Sequence, residues 1–211
     1  MPVDAVALRS SAIADAIRST RLIAVLRRIE PPDRLLALVE DLLEAGVRVF
    51  EITFDSTDAA AALRAVRDRV GDAGWVGAGT VRTADQLRAA IDAGATFGVS
   101  PLLDHAILAA ALDAGLPFVP GTYTPTEIDA AWRAGATFVK LFPASSLGPS
   151  HVRELRGPMA EVETIATGGV DGPNAGTFLD AGATAVGIGS ALHRMTPDER
   201  RALVELCAAI R

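Results

Sequence analysis

The chain has almost no lysine. Of its 20 basic residues, 19 are arginine and only Lys140 is lysine. Arginine replaces most surface lysines at little cost, but it cannot lose its proton and attack a carbonyl carbon as a partly desolvated lysine can. Lys140 lies in the apolar segment 136–142. Its position is explained by a nucleophilic role or by chance in an arginine-rich composition, and position alone does not separate the two.

Cysteine is nearly absent too. Cys207 is the only one, so the chain cannot form an internal disulfide, and the composition suits a reducing compartment. No apolar run reaches the ~18 residues that a membrane span needs. Asp4 and Asp15 interrupt the hydrophobic positions of the N-terminus, which lacks the pattern of a signal peptide. We therefore expect a cytoplasmic protein without a membrane partner.

Basic charge and metal-binding patterns are also scarce. The net charge of −6 argues against nucleic acid as the main partner, because backbone binding needs a basic surface. His105, His151 and His193 have no acidic or histidine companions at ligand spacing, so we expect surface histidines and no metal. At 211 residues, half of them hydrophobic and 22% charged, the chain fits one globular domain.

A repeated phrase organises the chain. Ala-Gly, followed by a β-branched or aromatic run, begins at residues 45, 93, 114, 134 and 181. Each copy ends a helical pattern and precedes a strand pattern, which is where a glycine C-cap is expected. The predicted strands are 22–26, 47–53, 75–79, 96–100, 116–120, 137–142, 162–167 and 184–189. The predicted helices are 4–19, 33–44, 57–69, 83–92, 104–113, 125–133, 149–156, 173–180 and one within 196–210.

Eight apolar strands that alternate with helices indicate an α/β protein with a parallel sheet. A doubly wound sheet shares this alternation, but eight units with one recurrent phrase favour a single (β/α)₈ TIM barrel. An extra N-terminal helix precedes the first strand. We expect residues 1–20 to form this helix and residues 21–211 to form a barrel catalytic domain.

In such a barrel the chemistry lies where strands end. Glu51 lies in an otherwise apolar strand, so we expect its pKa to be raised and the residue to act as a general acid/base, with a structural salt bridge as the alternative. Thr167-Gly168-Gly169 and Gly187-Ile188-Gly189-Ser190 follow the last two predicted strands. Each alone is an ordinary turn, but together they predict a phosphate or carboxylate site.

Seven segments carry a resemblance to a known family. They are Val49-Phe-Glu-Ile-Thr53, Gly77-Ala-Gly-Thr80, Val99-Ser-Pro101, Pro120-Gly121, Val139-Lys-Leu-Phe-Pro-Ala144, Thr167-Gly-Gly169 and Gly187-Ile-Gly-Ser190. In this order they resemble the 2-keto-3-deoxy-6-phosphogluconate (KDPG) aldolases, class I pyruvate aldolases that often also act on 4-hydroxy-2-oxoglutarate. The resemblance covers roughly residues 20–195. It implies a homotrimer, a small keto-sugar-acid substrate and no cofactor.

The resemblance also implies residue roles. Lys140 would form a Schiff base and Glu51 would be the general acid/base in cleavage to pyruvate and an aldehyde, such as glyceraldehyde 3-phosphate or glyoxylate. The implied substrate-binding residues are Arg27, Thr53, Asp55, Thr80, Pro101 and Phe142, and the implied phosphate-binding residues are Gly168, Gly169, Gly189 and Ser190.

One residue departs from the family pattern. Where the phosphogluconate enzymes carry arginine and the galactonate-type relatives carry asparagine, this chain has Asp55. Either Arg27 supplies the missing positive charge, or Asp55 faces a sugar hydroxyl. Three other functions stay open: a 2-keto-3-deoxy-6-phosphogalactonate aldolase, a phosphosugar isomerase or epimerase, and a non-catalytic sugar-acid-binding barrel.

Overall fold

The strands form one parallel barrel. The computed structural model describes residues 7–8, 11–56 and 58–210. The strands are β1 (Leu22–Leu26), β2 (Val49–Thr53), β3 (Trp75–Gly79), β4 (Gly98–Val99), β5 (Phe118–Val119), β6 (Gly121–Thr122), β7 (Val139–Leu141), β8 (Thr164–Thr167) and β9 (Ala185–Ile188). Their order is β5-β4-β3-β2-β1-β9-β8-β7-β6. Only Pro120 separates the two end strands in the chain, so the ring has eight positions and the (β/α)₈ prediction is confirmed.

Helices cover the outside of the ring. They are α1 (Ala12–Thr20), α2 (Pro32–Glu44), α3 (Ala59–Val70), α4 (Ala84–Asp92), α5 (His105–Asp113), α6 (Pro125–Arg133), α7 (Ala144–Leu155), α8 (Gly172–Asp180), α9 (Ser190–Arg194) and α10 (Pro197–Ala209), with a 3₁₀ turn at Gly71–Ala73. Side-chain caps start several of them, including capping boxes at Thr124, Asp171 and Thr196. The glycine of each Ala-Gly phrase has positive φ, as a helix C-terminus requires.

Two predicted helices differ from the observed ones, and one observed helix was not predicted. The helix expected at 149–156 begins earlier, at Ala144, because it continues across a kink at Gly148. The short helix α9 was not predicted, since five residues show no hydrophobic period. The helix expected at 4–19 is observed over Ala12–Thr20 and at residues 7–8, while residues 1–6 and 9–10 lie outside the described part of the chain.

A plug closes the N-terminal end of the barrel. Ile13, Ala14 and Ile17 of α1 pack into the cluster formed by the lower inward-facing side chains, which are Ile23, Val49, Phe97, Val99, Val119, Phe138, Ile165 and Ala185. Arg18 of α1 donates to both carboxylate oxygens of Glu163 at 2.8 and 2.6 Å, and its guanidinium lies 5.3 Å from the Phe138 ring centroid. Polar chemistry is therefore left to the opposite end.

Candidate active site

Two ionisable side chains lie inside the barrel above this plug. Val139 and Leu141 pack outward against the helices, so Lys140 between them faces inward, because side chains alternate along a strand. Glu51 has the same orientation on β2, between Phe50 and Ile52. Lys140 is 3% exposed and Glu51 2% exposed.

Glycines on β3 leave the space that the side chains of Glu51 and Phe97 occupy. Gly79 pairs with Thr53 across the β2–β3 ladder. A Cβ atom on Gly79 would overlap Oε1 of Glu51, and one on Gly77 would lie 2.5 Å from the Phe97 ring. With a side chain at position 79, Glu51 could not keep its present position.

Burial changes the proton affinity of Lys140. Desolvation lowers the pKa of its ammonium group, and Arg27 lowers that pKa further, while the charge of Glu51 opposes the shift. Its Nζ atom lies 4.9 Å from the ring centroid of Phe142. A lysine with a lowered pKa is neutral more often near pH 7, which is the state that attacks a carbonyl carbon.

Glu51 is shifted in the opposite direction. Desolvation raises the pKa of its carboxyl group, and the charge of Asp55 raises it further, whereas Lys140 and Arg27 act against the shift. Its Oε1 atom is buried and accepts no hydrogen bond from the residues that the structure describes. Within the same set of residues Glu51 joins none of the ion pairs, so the structural salt bridge considered from the sequence is not found. A carboxyl group in this state is suited to proton transfer.

A cleft of about 550 Å³ opens at the C-terminal end of the barrel. It brings together seven of the predicted site residues: Arg27, Lys140, Phe142, Gly168, Gly169, Gly189 and Ser190. Several side chains that were not predicted also line it, among them Arg28, Asp171, His193 and Arg194. The arginines outnumber the single aspartate, so the cleft favours an anionic ligand.

The loop after β8 brings backbone close to the cleft. Gly168 and Gly169 have φ values of 91° and 76°, which favour glycine. A Cβ atom on Gly169 would overlap Cβ of Ser145, and the Ser145 N–H donates to the Gly168 carbonyl at 2.9 Å. The close packing of this loop on α7 thus depends on both glycines.

The other predicted substrate-binding residues lie beside the cleft and do not line it. Arg27 connects two of them: its Nη2 donates to Oγ1 of Thr80 at 3.2 Å, and its Nη1 is 3.6 Å from Oδ2 of Asp55. Thr53 is buried, and its hydroxyl lies 3.5 Å from the Leu26 carbonyl oxygen. Pro101 packs on the backbone of Gly121, where any Cβ atom would overlap it. Glu51 lies below this group.

The expectation that His193 is a surface residue is wrong. It is half-buried, lines the cleft, and its pKa is lowered by desolvation and by Arg34, Arg200 and Arg194. Because α9 was not predicted, His193 and Arg194 could not be assigned to the cleft from the sequence. Arg28 could have been noticed, since it follows Arg27 at the end of the first predicted strand.

Neither a metal centre nor a membrane span is found in the described part of the chain. Across residues 7–8, 11–56 and 58–210, no three His, Cys, Asp or Glu side chains cluster as a metal site would require. The helices of these ranges are also too short or too polar to cross a membrane.

Comparison with known proteins places this geometry in a family. The sequence matches the model of the KDPG and KHG aldolases over residues 13–203. It is 33% identical over 191 residues to the 2-dehydro-3-deoxy-6-phosphogalactonate aldolase of Escherichia coli (strain K12), covering 90% of this chain and 93% of that protein. It is 36% identical over 159 residues to the 2-dehydro-3-deoxy-phosphogluconate aldolase of Treponema pallidum (strain Nichols), covering 75% of each.

A solved structure agrees with these sequence matches. The KDPG aldolase of Legionella pneumophila, with pyruvate captured at low pH as a covalent carbinolamine intermediate, superposes with a TM-score of 0.80 at 26% identity, covering 95% of this chain and 98% of that one. The chain therefore belongs to the KDPG and KHG aldolase family.

Proposed function

We propose that this protein is a class I aldolase that cleaves a 2-keto-3-deoxy-6-phospho sugar acid to pyruvate and glyceraldehyde 3-phosphate. One observation carries the proposal: Lys140, the only lysine, is buried with a lowered pKa at the base of a cationic cleft. The covalent pyruvate intermediate named for the Legionella pneumophila relative supports the same chemistry. Residues 21–211 would form the catalytic barrel, and residues 1–20 the helix that closes its other end.

The reaction follows from the two buried groups. Neutral Lys140 attacks the C2 ketone of the substrate, and loss of water gives an iminium that withdraws electrons from C3. Glu51, directly or through a water, takes the C4 hydroxyl proton, and the C3–C4 bond breaks as the aldehyde leaves. The remaining enamine is protonated at C3, and hydrolysis of the iminium releases pyruvate and restores the lysine. No metal or organic cofactor is needed for any step.

Substrate binding is assigned along the same cleft. Arg27 and Thr80, joined by a hydrogen bond, would hold the carboxylate beside the C2 carbon. Phe142 would cover the pyruvyl group, while Pro101 and Thr53 would support the wall behind it. The backbone N–H groups of Gly168, Gly169 and Gly189 and the hydroxyl of Ser190 would bind the 6-phosphate, because positive φ glycines let an anion approach the backbone.

A second candidate substrate is 2-keto-3-deoxy-6-phosphogalactonate, which differs in one hydroxyl configuration. This candidate is supported by the Escherichia coli relative, which is named for this substrate and matches 90% of the chain. Comparing cleavage of the two C4 epimers decides between them.

We further propose that the protein is cytoplasmic, which the single buried cysteine supports, and that it is a homotrimer, which the family resemblance supports.

Borohydride trapping tests the mechanism. Incubation with pyruvate and borohydride should reduce the imine on Lys140 to a stable adduct that mass spectrometry detects on one peptide. Since the chain has no other lysine, only the N-terminal amine competes, and Lys140→Arg is the matched control because it keeps a positive charge. Absence of the Lys140 adduct, together with aldolase activity that survives in Lys140→Arg, would exclude the Schiff-base mechanism.

A further inference from the structure

Asp55 is held by two arginines at the rim of the cleft. Its Oδ2 lies 3.2 Å from Nη2 of Arg28 and 3.6 Å from Nη1 of Arg27. Arg28 also donates from Nε to the Asp55 carbonyl oxygen at 3.2 Å, and its backbone N–H donates to Oγ of Ser56 at 3.0 Å. The loop after β1 and the loop after β2 are therefore joined at this point, and the position of Asp55 is fixed.

The other oxygen of Asp55 has no such contacts. Its Oδ1 is buried and accepts no hydrogen bond from the described residues. Buried carboxylate oxygens are nearly always satisfied, because leaving one without a donor costs free energy. Oδ1 is thus an acceptor able to bind a donor that a ligand supplies.

The two arginine side chains of this arrangement face the cleft and are more exposed than Asp55. Arg27 and Arg28 line the cleft, whereas Asp55, which both of them contact, does not. Their side chains are 49% and 67% exposed, whereas that of Asp55 is 21% exposed. A ligand hydroxyl can therefore reach Asp55 by displacing the exposed Arg28 side chain, while Arg27 stays on the substrate carboxylate and the backbone does not move.

The charge of Asp55 selects among ligand groups. A carboxylate accepts hydrogen bonds and repels a second carboxylate at short range. A sugar hydroxyl is a donor and fits this acceptor. A carboxylate at the same place, such as the one that 4-hydroxy-2-oxoglutarate carries beyond its C4 hydroxyl, is repelled by it.

We propose that Asp55 is a specificity-determining residue that accepts a hydrogen bond from a hydroxyl on the aldehyde part of the substrate. The acceptor class of this aldolase is therefore a hydroxylated aldehyde and not a 2-oxo acid such as glyoxylate. This inference rests on the proposed function, and it limits which members of the family's substrate range the chain turns over.

The test is the ratio of kcat/KM for a 2-keto-3-deoxy-6-phospho sugar acid, measured for both C4 epimers, to kcat/KM for 4-hydroxy-2-oxoglutarate. Asp55→Asn removes the charge at nearly constant shape, and we expect the ratio for the better epimer to fall about 10-fold, the size of a charge-assisted hydrogen bond. Asp55→Ala should lower the ratio at least as much, and it serves as the second variant if the first does not fold. Asp58→Asn, an exposed change of the same kind on the same loop, is the matched control and should keep the ratio.

Two results overturn the inference. One is an equal change in kcat/KM for both substrates, which shows only a positioning effect through Arg27. The other is a native enzyme that cleaves 4-hydroxy-2-oxoglutarate as well as the phospho sugar acid. Failure of the proposed function is distinguishable, because the native protein then forms no pyruvate adduct on Lys140 under borohydride.

Discussion

At the scale of single residues, Glu51 and Lys140 shape each other's proton affinity. Burial favours the uncharged form of both groups, and the attraction between their charged forms opposes this shift of each pKa. Each residue therefore influences the state in which the other works. Sequence was sufficient to single out both, because an ionisable side chain in an apolar strand needs a partner or a task.

The variant Glu51→Gln separates Schiff-base formation by Lys140 from proton transfer by Glu51. The variant should still trap pyruvate on Lys140, but its aldol cleavage should slow by about 10²–10⁴-fold, the usual contribution of general acid–base catalysis. The charge of Glu51 raises the lysine pKa, so its removal lowers that pKa further and more of the lysine is neutral at a given pH. The pH at which trapping reaches half its maximal rate should therefore move down.

Single-turnover trapping across a pH series measures this shift. Glu205→Gln, an exposed change of the same kind on α10, should alter neither the midpoint nor the turnover. Unchanged turnover in Glu51→Gln would exclude Glu51 as the general acid/base of the reaction. A midpoint that moves up would contradict the effect of its charge on the pKa of Lys140.

The pairing of Asp55 with Arg28 could not be predicted from sequence. The two residues are on different loops, and their contact depends on Arg28 having a φ of 49°, which few non-glycine residues adopt. From sequence alone Asp55 was a departure from the family pattern with two open interpretations, compensation by Arg27 or contact with a sugar hydroxyl. The structure supplies two positive partners and leaves one oxygen available.

At the scale of strands and helices, the space around Glu51 depends on β3. Gly79→Ala adds one methyl group that overlaps Oε1 of Glu51, so the carboxyl group must leave its position. We expect kcat to fall by about 10²-fold, since a displacement near 1 Å at a reacting group has that cost. Circular dichroism should show the barrel intact, because the added group meets a side chain and not the backbone.

Gly176→Ala is the matched control for this change. Gly176 lies in α8, where an added Cβ atom meets only ordinary contacts at 3.6 Å or more, and alanine favours a helix. Activity should be kept and stability slightly raised. Native turnover in Gly79→Ala would show that the glycine is not needed to place Glu51.

Element boundaries were the weaker part of the sequence prediction. The barrel strands were found because they are apolar runs of similar length, and the Ala-Gly phrase marked their starts. The helix α9 was missed, although it carries Ser190, His193 and Arg194 into the cleft. A helix of this length has no amphipathic period to detect, and its packing against β1 decides its position.

At the scale of the whole molecule, stability and chemistry lie at opposite ends of the barrel. Ile17→Ala at the plug removes a side chain that is 1% exposed and should lower the free energy of unfolding by about 2–4 kcal/mol. Urea unfolding measures this loss. Pyruvate trapping in folded protein should be unchanged, because Ile17 contacts the lower layer of the barrel interior and not the cleft.

Ala12→Ser is a matched control on the same helix, since Ala12 is exposed and a smaller loss is expected there. A loss of trapping in Ile17→Ala under conditions where it remains folded would contradict the separation of the two ends. Equal unfolding free energies for Ile17→Ala and the native protein would contradict the role of α1 as a plug.

The sequence by itself determined the barrel, the inward orientation of Glu51 and Lys140, and the glycines after the last two strands. These depend on local pattern: apolar period, turn chemistry and the alternation of side chains along a strand. Only the tertiary structure decided that Arg27 and Arg28 enclose Asp55, that Gly79 makes room for Glu51, and that α9 completes the cleft. Each of these is a contact between segments far apart in the chain, and no local pattern records such a contact.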